Sequence, residues 1–144
     1  MLPPIAELLP HDAPMVLLDE VGFWESPVVR CVVRLTDASP FVVDGRAPAV
    51  VALEYMAQTV GVWVGLSRRE RGQRPVIGFL VGTRQVDLNV DAFDVGDELE
   101  VESIRRFGEE KLGSFDCITR RRGEVVSKAS VNVYQGELPE IGVP

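Results

Sequence analysis

The sequence predicts an α+β domain in which a curved antiparallel sheet wraps around one long central helix. Residues 48–66 are apolar on almost every face of a helix, and a helix of that kind has to be buried. After residue 75 the apolar residues recur at every second position, which is typical of strands. One helix among many strands is best covered by a single sheet that curls around it, with a second subunit covering what the sheet leaves bare.

The first third of the chain predicts a short helical turn, two strands and a loop. β-branched and aromatic residues indicate the strands, and a Glu-Ser-Pro sequence between them is a turn signal. Pro48 follows the loop and suits the first turn of the helix, where a missing N–H loses no partner. These elements are predicted over residues 5–9, 15–24, 28–35 and 36–47, in that order.

The helix is predicted to end near Arg69, where the sequence becomes polar. Basic residues in the last turn suit the helix dipole, and Gly72 suits a stop. The period-two pattern that follows predicts an antiparallel meander and then a tail. The strands are predicted over residues 76–82, 84–90, 98–107, 112–121 and 124–134, and the tail over residues 136–144.

Length and composition restrict the class of protein. The 144 residues are enough for one domain, predicted as 1–144, with a sizeable core. A net charge of −7 argues against non-specific nucleic-acid binding, which needs a basic surface. One histidine and two distant cysteines give no metal-ligand spacing, and nucleotide-binding motifs are absent, so no metal or cofactor is expected.

The chain is expected to be cytoplasmic, without a membrane span. Its N-terminus has neither a basic n-region nor a long apolar run, so it does not match a signal peptide. The helix is long enough to raise the question of a membrane span. However, Glu54, Gln58 and Thr59 lie near its middle, where a charge is costly in lipid.

Glu54 is the most informative residue because it is a carboxylate inside an apolar helix. Removing a charge from water is costly unless the charge is paired or neutralised. Glu54 is therefore held by a partner, kept protonated or used in chemistry. Gln58 lies four residues further on and shares its helix face. The pair indicates either a small polar site or a hydrogen-bonded contact that orients a dimer interface.

Three further features could complete a site around Glu54. His11 is the only histidine and so the only imidazole available as a base near pH 7, although a loop histidine is more often a surface residue. The N–H groups of Ala49 and Val50 begin the helix and could hold an oxyanion. Gly82 interrupts a strand, which suits either close approach of a ligand or a bend in the sheet.

Basic residues cluster at the end of the helix, at Arg68, Arg69, Arg71 and Arg74. On an acidic chain such a cluster can steer an acidic partner. Solvated faces with ordinary salt bridges are the alternative.

Several motifs together resemble one family. LPHDAPMVLLDEV is similar to the LPHRxPxLLxDxV opening of the hot-dog 3-hydroxyacyl-[acyl-carrier-protein] dehydratases. PAVVALEYMAQ resembles their PGVLxxEAMAQ helix, with the same spacing from Pro48 to Glu54 and on to Gln58. The segment FLVGTRQVDLNVDAFDVGDELEV resembles their FxxGxxxxxFxxxVxPGDxL. The EYMAQ motif and the NVYQ motif at 132–135 are most similar to those of dehydratase-like proteins of aryl-polyene biosynthesis. Taken together, these resemblances imply a hot-dog fold.

One motif of that family is missing. The typical fatty-acid dehydratase carries its catalytic histidine in a GHFP loop before the helix, whereas residues 41–48, FVVDGRAP, contain no histidine. The resemblance therefore transfers a catalytic role to Glu54 by position. It transfers no catalytic role to any residue of that loop. His11 matches a motif histidine of the family that is not usually the catalytic one.

The resemblance implies dehydration of (3R)-3-hydroxyacyl thioesters held by an acyl carrier protein, in a homodimer or heterodimer of fatty-acid-like or aryl-polyene biosynthesis. Glu54 would be the acid, aided by burial, and His11 the base, within one subunit or across a dimer interface. Ala49 or Val50 would bind the oxyanion, and Gln58 would orient Glu54. The residues expected along the acyl chain are Val51, Tyr55, Phe79 and Gly82.

Two alternatives remain open at this point. A hot-dog thioesterase would use Glu54 to activate water against the thioester carbonyl. A non-catalytic acyl-binding or heterodimer subunit would explain the missing loop histidine.

Overall fold

The computed structural model describes residues 2–9, 15–74, 78–108 and 111–135, with the side chains of 78–81 and 135 left out. A 3₁₀ turn at Ile5–Glu7 precedes the first strand, and a second one at Ala49–Val51 leads into the helix. The strands and the helix are β1 Glu20–Glu25, β2 Val28–Arg34, β3 Arg46–Pro48, α1 Ala52–Glu70, β4 Gly78–Leu88, β5 Ala92–Asp94, β6 Glu98–Gly108, β7 Leu112–Arg121 and β8 Glu124–Gln135.

Six strands form one antiparallel sheet that curls around α1. Their order is β1-β2-β6-β7-β8-β4, so β1 and β4 are the edges. Along β7 every second residue is buried from Gly113 to Thr119, and this inner face meets the helix. Tyr55 and Met56 of α1 and Phe115 of β7 are among the largest fully buried side chains. The core therefore lies between the helix and the concave face of the sheet, which confirms the predicted α+β arrangement.

The first predicted strand is too long. β1 begins at Glu20, and residues 15–19 are irregular. The cause is a tertiary contact, because the Leu17 N–H donates to the Gln58 side chain of α1 rather than to a neighbouring strand.

The two strands predicted over 76–82 and 84–90 form one strand, β4. Its pairing with β8 is irregular between Leu80 and Gly82 and again between Arg84 and Asp87. Gln85 in the second irregularity has a φ of 50°, and such bulges break the period-two pattern without ending the strand.

Two short strands lie where no strand was predicted: β3 begins near the end of the predicted loop 36–47, and β5 lies between the predicted strands 84–90 and 98–107. β3 and β5 pair antiparallel as a separate two-stranded sheet. Pro48 is the last residue of β3, with φ −63° and ψ 144°, so it precedes the first helical turn instead of lying in it. The strand consequently runs straight into the helical segment. The predicted tail, 136–144, lies outside the described residues.

The N-terminal segment, residues 5–9, packs across α1 at two glycines. A Cβ added to Gly61 would lie 2.9 Å from Leu9 Cδ2, and one added to Gly65 would lie 2.9 Å from the Leu8 carbonyl oxygen. Leu8 and Leu9 are both buried by this contact. A side chain at either position would therefore meet the segment, at a side-chain atom for Gly61 and at a backbone atom for Gly65.

One helical stretch, residues 49–70, is long and apolar enough to cross a membrane by length and composition. Its most apolar window is 72% buried inside the protein, so this stretch is the core helix.

Candidate active site

Gln58 connects Glu54 to the segment before β1. Its side chain is buried, and its Oε1 accepts the Leu17 N–H at 2.9 Å. Its Nε2 donates to the Met15 carbonyl at 2.7 Å and to Glu54 Oε1 at 3.2 Å. Because the Leu17 N–H can bond only to an acceptor, the amide can take only one orientation, with an N–H directed at Glu54. Glu54 thus receives a fixed hydrogen bond on one oxygen.

Glu54 lies on a half-open apolar face of the helix. Its side chain is partly buried, as are those of Leu53 and Ala57 beside it, so the burial expected to aid Glu54 is only partial in this chain on its own. Val50, one turn earlier, is 54% exposed. Among the described residues, Glu54 Oε2 has no hydrogen-bond or ion-pair partner, and this oxygen is therefore available to a ligand.

The two predicted oxyanion donors differ in whether the N–H group already has a hydrogen-bond acceptor. The Ala49 N–H donates to the Asp91 carbonyl at 2.9 Å, so the prediction that it could bind an oxyanion is wrong. The cause is the pairing of β3 with β5, which brings the residue before β5 against the start of the helix. For the Val50 N–H no acceptor is found within the part of the chain that the structure describes. Val50 and Glu54 are four residues apart and share one helix face.

Two of the predicted acyl-chain residues are core residues. Val51 and Tyr55 are both buried, and the Tyr55 ring lies 6.3 Å from the Phe93 ring, centre to centre. Tyr55 points away from Glu54, because successive residues of a helix diverge by about 100°. The structure therefore does not bring Tyr55 and Glu54 onto one surface.

The other predicted residues lie on the edge strand or outside the described part. Gly82 lies in β4 opposite Asn132, and nothing lies within 4 Å of the point where its Cβ would be. Phe79 also lies in β4, but its side chain is outside the described residues. His11 is likewise outside them, so its distance to Glu54 stays a prediction.

The two cysteines are not nucleophiles. Both are buried, and burial raises the pKa of the Cys31 and Cys117 thiols to about 12. A thiol with such a pKa stays protonated near neutral pH, and only the thiolate attacks. Among the described residues, no group of three His, Cys, Asp or Glu side chains is placed to hold a metal ion.

Sequence reasoning missed the backbone groups that hold Gln58. These groups belong to Met15 and Leu17, whose side chains are apolar. A hydrogen bond to the main chain does not depend on residue type, so the sequence does not reveal it. The only available signal was the adjacency of an apolar segment to a buried glutamine that needs partners.

An antiparallel sheet curled around one helix, with a carboxylate in the second turn of that helical segment, defines a hot-dog protein. The sequence matches the ApeP-like family, described as ApeP dehydratase, over residues 3–141, and the chain belongs to that family. This confirms the family indicated by the motifs, a hot-dog dehydratase of the aryl-polyene type.

Solved structures agree with this assignment. A chain of the dehydratase heterocomplex ApeI:P from Xenorhabdus doucetiae is 36% identical with a TM-score of 0.94, covering 98% of this chain and 96% of that one. A hypothetical thioesterase with coenzyme A from Streptococcus pneumoniae TIGR4 is 14% identical with a TM-score of 0.62, covering 82% of this chain and 85% of that one. The virulence protein Cj0977 from Campylobacter jejuni is 16% identical with a TM-score of 0.66, covering 92% and 95%. The last two show the fold alone, and no curated protein sequence gave a significant match.

Proposed function

We propose that the protein dehydrates (3R)-3-hydroxyacyl thioesters, carried by an acyl carrier protein, to trans-2-enoyl thioesters in aryl-polyene or fatty-acid-like biosynthesis. Membership of a dehydratase family supports the reaction class. The observation that carries the proposal is Glu54, held on one oxygen by Gln58 and open on the other, one turn from the Val50 N–H. A carrier-bound substrate is consistent with a cytoplasmic site of action.

The reaction needs a base, an acid and a donor for the thioester oxygen. The base takes the proton from C2, and negative charge moves onto the thioester oxygen. The C2–C3 double bond then forms as the C3–O bond breaks. The departing hydroxyl receives a proton and leaves as water, so atoms and charge balance without a cofactor.

Glu54 is the acid in this proposal. Its Oε1 accepts the Gln58 N–H, so the proton that the acid delivers is carried on Oε2. The Val50 N–H binds the thioester oxygen, roughly 6 Å away along the helix axis for a four-residue separation. Both groups then face the same short part of the substrate.

His11 is the proposed base. Residues that precede and follow it in the sequence are anchored to α1, Leu9 against Gly61 and Met15 on Gln58. Gln58 is one helical turn from Glu54. This anchoring supports a role near Glu54 for a residue between the two anchors.

The test is the rate of enoyl formation from a 3-hydroxyacyl carrier-protein substrate. Glu54→Gln and His11→Ala should each lower kcat by about 10²- to 10⁴-fold, the usual contribution of a general acid or base. Glu124→Gln, at the exposed start of β8, is the matched control and should be fully active. Full activity of Glu54→Gln would contradict the proposal, whereas full activity of His11→Ala alone would move the base to another group. Release of free thiol instead of enoyl product would indicate a thioesterase.

A heterodimer is the second candidate, favoured by the ApeI:P heterocomplex as a close structural match. We propose that a partner subunit covers the half-open face formed by Val50, Leu53, Glu54 and Ala57. If this chain is active only together with the partner, and His11→Ala has no effect in the complex, the partner supplies the base. If the complex is equally active with Glu54→Gln, this chain is a non-catalytic subunit.

A further inference from the structure

Two buried hydroxyl groups lie opposite each other in the core. Thr119 of β7 and Ser127 of β8 are register partners, so their side chains point to the same face of the sheet. That face is the concave one, because both residues are 0% exposed and Thr119 belongs to the buried alternation of β7. Neither Thr119 Oγ1 nor Ser127 Oγ has a hydrogen-bond partner among the described residues.

A hydroxyl without a partner is unfavourable in a core. It loses its hydrogen bonds to bulk water on burial, so buried hydroxyls nearly always regain a partner. Thr59 and Ser103, which are also 0% exposed, follow this rule. Thr59 donates to the Tyr55 carbonyl at 2.8 Å, and Ser103 Oγ lies 3.2 Å from the sulfur of its own register partner, Cys117. The two unpartnered hydroxyls therefore indicate that something further binds between β7 and β8.

A β-bulge lies directly beside the unpartnered pair. Thr119 pairs with Ser127, but the next residue, Arg120, pairs with Val125, so Val126 is an extra residue on β8. Such a bulge bends its strand and disrupts the ladder locally. The hydroxyls beside the bulge are consequently not bonded to each other, unlike the regular cross-strand pair on β6 and β7.

The size and the chemistry of this site suit one water molecule. Directly opposed residues have Cβ atoms about 4.5–5.5 Å apart. A water bonded to two oxygens at about 2.8 Å each bridges up to about 5.6 Å between them. Water both donates and accepts, so one molecule serves two hydroxyls, and two polar partners are the minimum for a buried water. An ion is not favoured, because neither hydroxyl is charged and the neighbour of Thr119 on β6 is the fully buried Val101.

We infer that one structural water binds between Thr119 and Ser127 and joins β7 to β8 at the bulge. It accepts a hydrogen bond from one hydroxyl and donates one to the other. Because both residues are fully buried, the water exchanges with solvent only when the structure opens locally, so it stays bound for longer than nanoseconds. The site does not depend on the role of Glu54.

The first test is direct detection of the water in the whole protein. A high-resolution crystal structure should show one water within about 3 Å of both hydroxyl oxygens. NMR should show a nuclear Overhauser effect between a long-lived water and the Thr119 methyl group. The double variant Thr119→Val/Ser127→Ala should lose the water from the crystal structure. A direct bond between the two hydroxyls, or a protein group bonded to each of them, would overturn the inference.

The second test is the melting temperature, for which the alternatives predict opposite signs. Thr119→Val keeps the shape of the side chain and removes one partner of the water, so the melting temperature should fall by about 2–6 °C. If the hydroxyl had no partner, the same change would remove an unsatisfied polar group and raise the melting temperature, which would contradict the water site. Thr83→Val, the same substitution at an exposed position of β4, is the matched control and should stay within about 1 °C of the wild type.

The two single variants and the double variant also form a cycle. Thr119→Val and Ser127→Ala each break the same bridge, so the double variant should lose less than the sum of the two single losses in melting temperature. Strictly additive losses would show that the two hydroxyls act independently, and would also overturn the inference.

Discussion

Gln58 shows how a single side chain can connect three parts of the molecule. Its amide oxygen accepts from Leu17, and its amide nitrogen donates to Met15 and to Glu54. A glutamine that is 1% exposed would be costly without these partners. Stability and the orientation of Glu54 consequently depend on the same residue.

Replacing Gln58 with leucine should therefore affect both properties. Gln58→Leu leaves the buried Leu17 N–H and the Met15 carbonyl without partners, which costs about 2–4 kcal/mol of unfolding free energy. It also frees the Glu54 carboxylate, so kcat should fall more than KM changes. Urea unfolding and steady-state kinetics measure the two effects.

The control is Gln73→Leu, a change on the exposed segment after α1, which should stay within about 0.5 kcal/mol of the wild type. A Gln58→Leu protein with wild-type stability would show that the three hydrogen bonds contribute little.

At the scale of elements, the central relation is between α1 and the N-terminal segment. The two glycines that accept this segment differ in what they face. Gly65 faces the backbone carbonyl of Leu8, whereas Gly61 faces the end of the Leu9 side chain. A backbone atom cannot move without moving the segment, but a leucine methyl group can rotate away.

Gly65→Ala should thus destabilise the protein by about 1–3 kcal/mol, as overpacking does. Gly61→Ala should be close to neutral, because the gain of about 1 kcal/mol in helix propensity offsets a small rearrangement of Leu9. Thermal unfolding of the two variants side by side checks the difference. Equal melting temperatures would contradict the distinction between backbone and side-chain contact.

The elements that the sequence predicted correctly are those with a long periodic pattern. The apolar run 48–66 and the alternation in β7 report burial directly. β3 and β5 have three residues each, too few for any period to be visible. The same pairing directs the Asp91 carbonyl to the Ala49 N–H, so the error at Ala49 and the missed strands have one cause. Glu54 and Gln58 were predictable because the helix period alone places them together.

At the scale of the whole molecule, a charged network ties three strands together on the outer face of the sheet. Glu102 of β6 has a side chain only 6% exposed. It accepts from Arg30 of β2 at 2.8 Å and lies 3.5 Å from Arg120 of β7. Burial alone would raise the pKa of Glu102, but the hydrogen bond from Arg30 and the charge of Arg120 outweigh it and lower the pKa.

This network should make stability depend on pH. Because the pKa of Glu102 is lower in the folded than in the unfolded state, its contribution is present above the unfolded value, near 4.3, and is lost as the pH falls through the folded value. Glu102→Gln should cost about 1 kcal/mol at pH 7, allowing for the half-exposed Arg30, and clearly less at pH 3.

Urea unfolding at several pH values measures this dependence. Glu98→Gln, whose side chain is 65% exposed, is the control and should change stability by less than about 0.5 kcal/mol at any pH. A Glu102→Gln deficit that stayed constant from pH 7 to pH 3 would exclude the network as its source.

The direct passage from β3 through Pro48 into the helical segment has a consequence for motion. No loop separates the strand from the turn that begins at Ala49, and Glu54 follows within two turns. The backbone at Glu54 should therefore move with the β3–β5 sheet on the nanosecond timescale, and its order parameters should resemble those of the strands. Substrate binding then has little backbone disorder left to remove at Glu54, so the entropy of ordering falls mainly on the substrate.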